Sequence, residues 1–488
     1  MGANKQANKE KYDLLCIGSG PAGIHGAMQA SKLGKKVAII EKNPQKIGGT
    51  WIHTGTIPSK TLREVLAAIH NISPHVGEGW VKRVISDLSS TRLLNRADDV
   101  SNEEETLIRK HLANNNIEVI PGTAFLEDRH HVRVTSGHGK TKVLESDKIL
   151  IATGSRPRRP ADIPFDGWRV IDSDEILKLE SLPKSILVFG AGVIGCEYAC
   201  IFSAIGIETI IIDARTRIMQ TIDREIAEEL KSTMQDLGVT FKLGYQLKHI
   251  ESKGPQVTAV FDQEPITTDI FFFSAGRESS TSGLGLDRVG IKTNNRGAIL
   301  VNEFFQTDAG NVYAAGDAIG PPALASTSSE QGRLAMCHAF DNSECKFPEV
   351  FPVGVYTIPE LSSVGMSEED VVEAGIEYVV GRANYDEIAR GYIRGEKHGL
   401  LKLIVNAKTE QIVGVHIVGS DAANLIHIGQ CCMLSGLPLS QILRNIIFNY
   451  PTLAEGYRVA AFNALNKINS GAIERPKKKP RSKSDNAA

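Results

Sequence analysis

The 488-residue chain has no apolar run of about 18 residues free of charge and glycine, so no membrane span is expected. Its start, MGANKQANKEKYDLL, carries charges but no apolar core, so no secretory signal is expected. Net charge is nearly absent: 55 Lys and Arg against 57 Asp and Glu leave −2. That excludes a global pull toward nucleic acid or an anionic membrane. Cysteine is scarce, odd in number and scattered, at Cys16, Cys196, Cys200, Cys337, Cys345, Cys431 and Cys432. This fits reduced thiols in a cytoplasmic protein better than a secreted disulfide framework. No His, Cys and Asp cluster has metal-ligand spacing, and no metal is expected. What is present is ordinary for a globular protein: 42% hydrophobic and 23% charged residues. At roughly 150 residues per domain, the length suggests about three domains with a core that needs no disulfide or metal.

Residues 1–11 are polar and expected to be disordered. YDLLCIGSGPAG then reads as a buried strand, a glycine-rich turn and a helix start, with KKVAIIEK as the next strand. Residues 97–114 read as a polar helix with an apolar stripe through Val100, Leu107 and Leu112, broken by three asparagines at 114–116. A second strand–turn–helix–strand unit runs from KSILVFGAGVIGCEYA to ETIIIDAR, and 214–253 carries a further helix and strand. FFFSAG (271–276) reads as a strand and loop, and NVYAAGD (311–317) as a strand ending in a sharp turn. From residue 347 the pattern changes to antiparallel-looking strands and two helical runs, a separate α+β domain. The segment 471–488 is rich in Lys and Arg and reads as a disordered basic tail.

GSGPAG sets Gly18, Gly20 and Gly23 in G-x-G-x-x-G spacing directly after a strand. The first glycine permits the tight turn, the second admits a pyrophosphate to the backbone, and the third lets helix and strand pack closely. The following helix N-terminus offers free N–H groups to phosphate. Glu41 ends the next strand about 20 residues on, where an acid accepts from ribose hydroxyls. GAGVIG repeats the pattern with Gly190, Gly192 and Gly195, and Asp213 at the same distance. Two complete units imply two dinucleotides on one chain. Asp213 favours a free 2′-hydroxyl; Arg215 and Arg217 are either solvated loop charges or partners of a 2′-phosphate, so NAD and NADP are both allowed.

Here the sequence resembles the flavoprotein disulfide reductases, the family of lipoamide dehydrogenase and glutathione reductase, from about Tyr12 to about Ile468. The resemblance rests on eight motifs in family order: GSGPAG, GGTWIHTGTIPSK (48–60), IATGSRP (151–157), GAGVIGCE (190–197), SAGR (274–277), NVYAAGD, YTIPELSSVG (356–365) and NYPTLAE (449–455). It implies an α/β fold with two Rossmann-like dinucleotide-binding domains and a C-terminal α+β dimerisation domain. The expected segments are an FAD-binding domain at 1–155 and 278–346, an NAD(P)-binding domain at 156–277, the dimerisation domain at 347–470, and the tail at 471–488. The resemblance further implies that Asp317 holds the flavin ribitol and that Lys60 and Glu197 pair beside flavin N5. Gly49, Thr50, Gly154, Gly276 and Arg277 join the cofactor contacts. The helix expected near Ser326 brings its N-terminal dipole to the flavin's pyrimidine edge.

Two departures bear on function. Disulfide reductases carry CxxxxC before IPSK, and here Trp51 and Thr56 occupy those positions, so no redox disulfide forms. The family's histidine before Pro-Thr is Tyr450 here, with Glu455 kept; a tyrosine with an ordinary pKa near 10 is a poor base. Cys196 and Cys200, one helical turn apart, are expected to pack as small hydrophobes. The departures, together with Thr56, His53, HIGQ (427–430) and FNYPTLAEGYRVAA, resemble the soluble pyridine nucleotide transhydrogenase branch. That branch implies hydride transfer between NADPH and NAD⁺ through FAD, in a homodimer with no nucleic-acid partner. The alternatives are an NAD(P)H oxidase or quinone or dye reductase, and a non-catalytic FAD- and NAD-binding protein that uses its basic tail as a contact.

Overall fold

The computed structural model describes residues 10–87, 90–179, 181–341, 346–396 and 398–475. The chain forms two compact units: residues 1–62, 89–182 and 272–349, and residues 63–88, 183–271 and 350–488. Residues expected as separate nucleotide and C-terminal segments, 183–271 and 350–470, thus fall in one unit.

The first unit is built on strands Glu118–Pro121, Val37–Glu41, Lys11–Ile17 and Thr141–Ile151, side by side and parallel. Val312–Ala314 adds in parallel to the end of Thr141–Ile151. The other half of that long strand turns antiparallel onto His131–Thr135, which pairs with Thr123–Leu126. Leu14, Cys16, Ile39 and Leu150 are fully buried in the core. Helix Pro21–Lys32 covers this sheet, with Ala325–Asp341 against it. Their backbones meet because Gly332 lacks a side chain; a Cβ there would lie 2.1 Å from the Ala22 carbonyl oxygen. The strand begins at Lys11, which pairs with Glu145, so order starts earlier than the polar N-terminus suggested. Residues 1–9 lie outside the described residues.

The expected helix at 97–114 runs from Ser90 to Asn114. Its buried face is Ala97, Ser101, Ile108 and Leu112, while Val100 is half-buried and Leu107 is exposed. The Ser101 hydroxyl donates to the Ile52 carbonyl (2.8 Å), so a small polar residue holds the contact that hydropathy assigned to its neighbours.

In the second unit, strands Val239–Leu243, Glu208–Asp213, Ser185–Phe189 and Ile270–Phe273 lie in that order. Helix Val193–Ala204 follows the first of the two glycine-linked strands, and Arg224–Asp236 follows the second. A meander, Leu247–Lys253, Gln256–Phe261 and Pro265–Thr268, extends from this layer. Residues 350–475 form an antiparallel sheet in the order Val353–Val355, Leu361–Gly365, Ile412–Val418, Leu400–Asn406, Tyr378–Asn384. Among the described residues five helices accompany it rather than two: the short Glu368–Glu373 and Ala389–Arg394, then Ala422–Ser435, Leu439–Asn445 and Glu455–Ser470. The last packs on Tyr378–Asn384 where Gly381 leaves room; a Cβ there would meet the Ala460 carbonyl at 2.0 Å. The chain does not leave the fold at residue 471. Glu474 bridges back to Tyr378, its N–H donating to the Tyr378 carbonyl at 2.9 Å. The rest of the expected basic tail, 476–488, lies outside the described residues.

Candidate active site

The first glycine turn does what its spacing requires. Gly18 has φ +105°, and a Cβ on it would lie 2.4 Å from the Ala152 carbonyl. Gly23 sits against the turn itself, 2.0 Å from the Gly18 carbonyl by the same measure. A Cβ on Gly20 would meet nothing within 4 Å, so its backbone faces open space at the start of helix Pro21–Lys32. This is the cradle a pyrophosphate needs. Glu41 closes it from below: its carboxylate accepts from the Ser19 amide (3.0 Å), the Ser19 hydroxyl (2.7 Å) and the Asn43 amide (2.8 Å). The Gly48 amide donates to Ser19 Oγ (3.3 Å), and Gly49, at φ +69°, abuts Gly20. Thr50 then opens the short helix Thr50–His53.

Around Asp317 the unit adds polar positioning that the motifs alone did not reveal. Asp317 lies in the turn Gly316–Ile319. Ser155 Oγ donates to its Oδ2 (2.6 Å), and Ser279 Oγ donates to its backbone carbonyl (2.7 Å). Arg277 donates to Ser155 through Nε to Oγ and Nη2 to the carbonyl, both 2.9 Å. Strands Ser155–Pro157 and Arg277–Ser279 pair antiparallel, which brings these residues together. Gly154 and Gly276, at φ +69° and +111°, leave open space at the same turns. The sequence signal for Ser155 was its place in IATGSRP; Ser279 carried none. Open glycines, an acid at the strand end and an anchored Asp317 fit FAD.

Trp51 packs against the apolar core of the first unit, and its indole Nε1 is buried without a partner among the described residues. It fills the position where a thiol would stand. Thr56 begins helix Thr56–Val76, and Lys60 lies on its second turn with Nζ 3.4 Å from Ser59 Oγ.

The second turn is built alike. Gly190 has φ +118°, Gly192 leaves open space, and Gly195 is buried on helix Val193–Ala204. Glu197, on the same helix, is buried and accepts from the Tyr356 amide at 2.9 Å. Asp213 accepts from the Ala191 amide (2.7 Å) and from Arg215 three times: the amide (2.8 Å), Nε (2.9 Å) and Nη2 (2.6 Å). Burial lifts the Asp213 carboxyl, but the guanidinium and the two amides outweigh it and hold it below the usual carboxylate range. Arg217 is engaged elsewhere, with Glu369 (2.8 Å) and the carbonyls of Gln220 (2.5 Å) and Ile222 (3.2 Å). Of the two arginines, Arg215 therefore carries the guanidinium at the end of the strand.

Cys196 and Cys200 are fully buried, and burial pushes the Cys200 thiol up to about 12 and Cys196 well above its ordinary value. Thiols held so firmly in the protonated form are poor redox nucleophiles. Tyr450 is 74% exposed, and Glu455 begins helix Glu455–Ser470. Ile447, Leu434 and Phe462 are likewise exposed large apolar side chains of this C-terminal segment. No helix of the described residues is long and apolar enough to cross a membrane.

Comparison with known proteins agrees with this geometry. Residues 12–332 match the pyridine nucleotide-disulphide oxidoreductase family, and residues 351–461 match its dimerisation domain. The chain is 40% identical over 460 residues to a soluble pyridine nucleotide transhydrogenase of Mycobacterium bovis, covering 94% of this chain and 98% of the relative. It is 40% identical over 466 residues to the transhydrogenase of Stutzerimonas stutzeri, covering 94% and 99%. The HOCl-induced flavoprotein disulfide reductase RclA of Escherichia coli superposes with a TM-score of 0.83 at 30% identity, over 92% of this chain and 99% of that one. The chain is a member of the pyridine nucleotide-disulphide oxidoreductase family.

Proposed function

We propose that this chain is an FAD-dependent transhydrogenase that moves a hydride between NADPH and NAD⁺; its relatives are named soluble pyridine nucleotide transhydrogenases. The observation that carries the reading is the end of the second nucleotide unit, where Asp213 and Arg215 offer one acceptor and one cation side by side. A 2′-hydroxyl donates to Asp213, and a 2′-phosphate pairs with Arg215, so both nicotinamide nucleotides suit one site. Trp51 and Thr56 support the same reading, since neither passes electrons on to a disulfide.

When bound, FAD supplies a two-electron carrier that takes a hydride from one reduced nicotinamide and returns it to the other oxidised one. The chain's own task is alignment and electrostatics. Gly18, Gly20, Gly23, Glu41, Gly49, Thr50, Gly154 and Asp317 hold FAD; Gly190, Gly192, Gly195, Asp213 and Arg215 hold NAD or NADP, with Gly276 and Arg277 bordering the cofactors. Lys60 supplies positive charge that stabilises the reduced carrier. The domain assignment is FAD binding by 1–155 and 278–346, NAD(P) binding by 156–277 and dimerisation by 347–470. The match of residues 351–461 to a dimerisation domain and the exposed apolar side chains Leu434, Ile447, Tyr450 and Phe462 support a homodimer, in which Tyr450 and Glu455 reach the partner's site. The protein works in the cytoplasm, without nucleic acid.

The test is anaerobic mixing of the yellow protein with NADPH and the thio analogue of NAD⁺. Stoichiometric reduction of the analogue is expected. Flavin that is reduced while the analogue stays oxidised would transfer the assignment to a quinone reductase or oxidase. Flavin that stays oxidised with both NADPH and NADH would leave a non-catalytic binding protein.

A further inference from the structure

Buried polar atoms that lack a partner gather around the first glycine turn. Trp51 Nε1, Thr153 Oγ1 and Asp174 Oδ1, all in the first unit, are buried without a hydrogen bond to any of the described residues. Thr153 lies against Gly18, where a Cβ would meet its Cα at 3.3 Å. Trp51 follows Gly49, which abuts Gly20, by two positions. Of the three, Asp174 is the costliest to leave unpaired. An indole sits well among apolar side chains, and a hydroxyl is neutral, but a buried carboxylate oxygen loses the hydration of a charge.

Asp174 stands in the turn after strand Val170–Ile171, and its amide donates to Asp172 Oδ1 at 2.9 Å. Its neighbour Ser173 accepts from Arg277 Nη1 at 3.5 Å. The same guanidinium donates through Nε to Ser155 Oγ, which in turn donates to Asp317. Asp174 is thus joined to the Asp317 cluster through Ser173, Arg277 and Ser155. Burial raises the Asp174 carboxyl pKa above its ordinary value, against the Arg277 charge and a hydrogen bond with the Thr54 side chain. Thr54 ends the short helix that Thr50 opens, so the stretch beside the glycine turn reaches the same carboxyl. The donors that FAD offers are its adenine amino group, the ribose hydroxyls, the ribityl hydroxyls and the flavin N3–H. With Glu41 at the ribose and Asp317 at the ribityl chain, the ribityl hydroxyls are the donors that fall nearest Asp174.

We propose that Asp174 is a second acidic ligand of FAD, whose unpaired carboxylate oxygen accepts a hydrogen bond from a ribityl hydroxyl. The inference rests on the reading that the first unit holds FAD with Asp317 at its ribityl chain. Thr54 and Arg277 steady the carboxyl group and leave Oδ1 for the ligand. A group that serves the fold is satisfied before the cofactor arrives. Asp174 Oδ1 is not, so its hydrogen bond is gained on binding and strengthens FAD affinity rather than the apoprotein.

The test titrates FAD into the full-length apoprotein, with flavin fluorescence reporting the dissociation constant and thermal melting reporting the fold. Asp174→Ala is expected to weaken FAD about tenfold or more, and Asp174→Asn, which keeps a neutral acceptor, about threefold. Both apoproteins are expected to melt no lower than the wild type, since the lost oxygen had no partner there. An FAD dissociation constant within about twofold of wild type in Asp174→Ala overturns the proposal, as that little change is less than one such bond contributes. A lower apoprotein melting point with unchanged FAD affinity would make Asp174 structural and overturn it as well. The three FAD analogues that each lack one ribityl hydroxyl identify the contact on the wild-type protein. One of them is expected to bind the wild type about tenfold more weakly than FAD, yet to bind Asp174→Ala as FAD does. If no analogue loses its deficit in that variant, the ribityl contact is wrong. If Asp174→Ala does not fold, the same comparison in Asp174→Asn decides. FAD that binds Asp317→Ala as tightly as wild type would instead overturn the underlying placement of the cofactor.

Discussion

Arg215 closes on Asp213 with both ends of its guanidinium fork, Nε at 2.9 Å from Oδ1 and Nη2 at 2.6 Å from Oδ2. The acid that normally excludes a 2′-phosphate is thereby neutralised by a residue two positions away. Each nucleotide finds one half of the pair useful. A 2′-hydroxyl finds the carboxylate still charged, because the pair keeps its proton off. A 2′-phosphate finds a guanidinium that is partly exposed beside the carboxylate it pairs with.

Replacing Asp213 by Asn should therefore shift the balance rather than destroy it. The carboxylate no longer repels phosphate or holds Arg215, so the NADPH KM falls, while NADH loses a charged acceptor worth roughly 1.5–3 kcal/mol. An NADH KM raised at least about tenfold with an unchanged or lower NADPH KM is the expected outcome. Parallel losses for both would remove Asp213 from the discriminating role.

The glycine turns give a contrast between folding and binding. Gly23→Ala forces a Cβ to 2.0 Å from a backbone oxygen, and overpacking of this kind costs about 1–3 kcal/mol or more. Gly20→Ala meets nothing and keeps an ordinary φ of −70°, so the apoprotein should melt where the wild type does. Its methyl group stands where a pyrophosphate must approach, and the FAD dissociation constant should rise. Melting curves of the apoproteins, with FAD titration followed by flavin fluorescence, separate the two effects.

How much of this was legible in the sequence depends on how local each signal is. The turns at Gly18–Gly23 and Gly190–Gly195, with Glu41 and Asp213, were readable because the strand, turn, helix and acid lie within one short segment. The helix over Ser90–Asn114 was misread at its face, because Ala97 and Ser101 bury by smallness and hydrogen bonding and leave no hydropathic mark. Lys402 was invisible. In LLKLIVN it looks like the exposed residue of a strand, yet its partners Asp223 and Glu368 arrive from 179 and 34 residues away. Ser279 and Ser155 were likewise brought to Asp317 by strand pairing across the chain.

Thiol chemistry should be absent at the flavin. With Trp51 and Thr56 in the two positions, the protein should not turn over lipoamide or glutathione disulfide with either reduced nicotinamide. Cys16, Cys196 and Cys200 are fully buried with raised thiol pKa values, so alkylation at neutral pH should spare them and, among the described cysteines, reach exposed Cys431 first. Mass spectrometry of the native protein after brief iodoacetamide treatment checks this. Early labelling of Cys196 or Cys200 with loss of activity would reopen a redox role for that helix.

The buried node of Lys402 with Asp223, Glu225 and Glu368 gives a pH signature with a definite sign. Burial lifts Asp223, but Lys402 and its other partners outweigh that lift and hold it below the usual range. Burial likewise opposes the shift of Glu225, which Arg382 and Lys402 hold low. Burial disfavours the Lys402 charge, yet Asp223 and Glu368 raise its pKa above 10.5. Depressed carboxylates contribute stability that is complete above their unfolded values, about pH 4, and is lost as pH falls through the lower folded values. The raised lysine contributes fully below its unfolded value near 10.5 and loses that contribution as pH rises through the higher folded one. Removing Lys402 takes the buried cation from Asp223 and Glu368, while Arg382 still pairs Glu225, a change worth about 3–5 kcal/mol. Wild type and Lys402→Met should then differ by a near-constant unfolding free energy between about pH 6 and 9. The gap should narrow on acidification, as the variant's crowded acids take up protons that the wild type refuses. Urea unfolding at stepped pH measures it, and a gap that does not change down to pH 4 would show that the node contributes packing rather than charge.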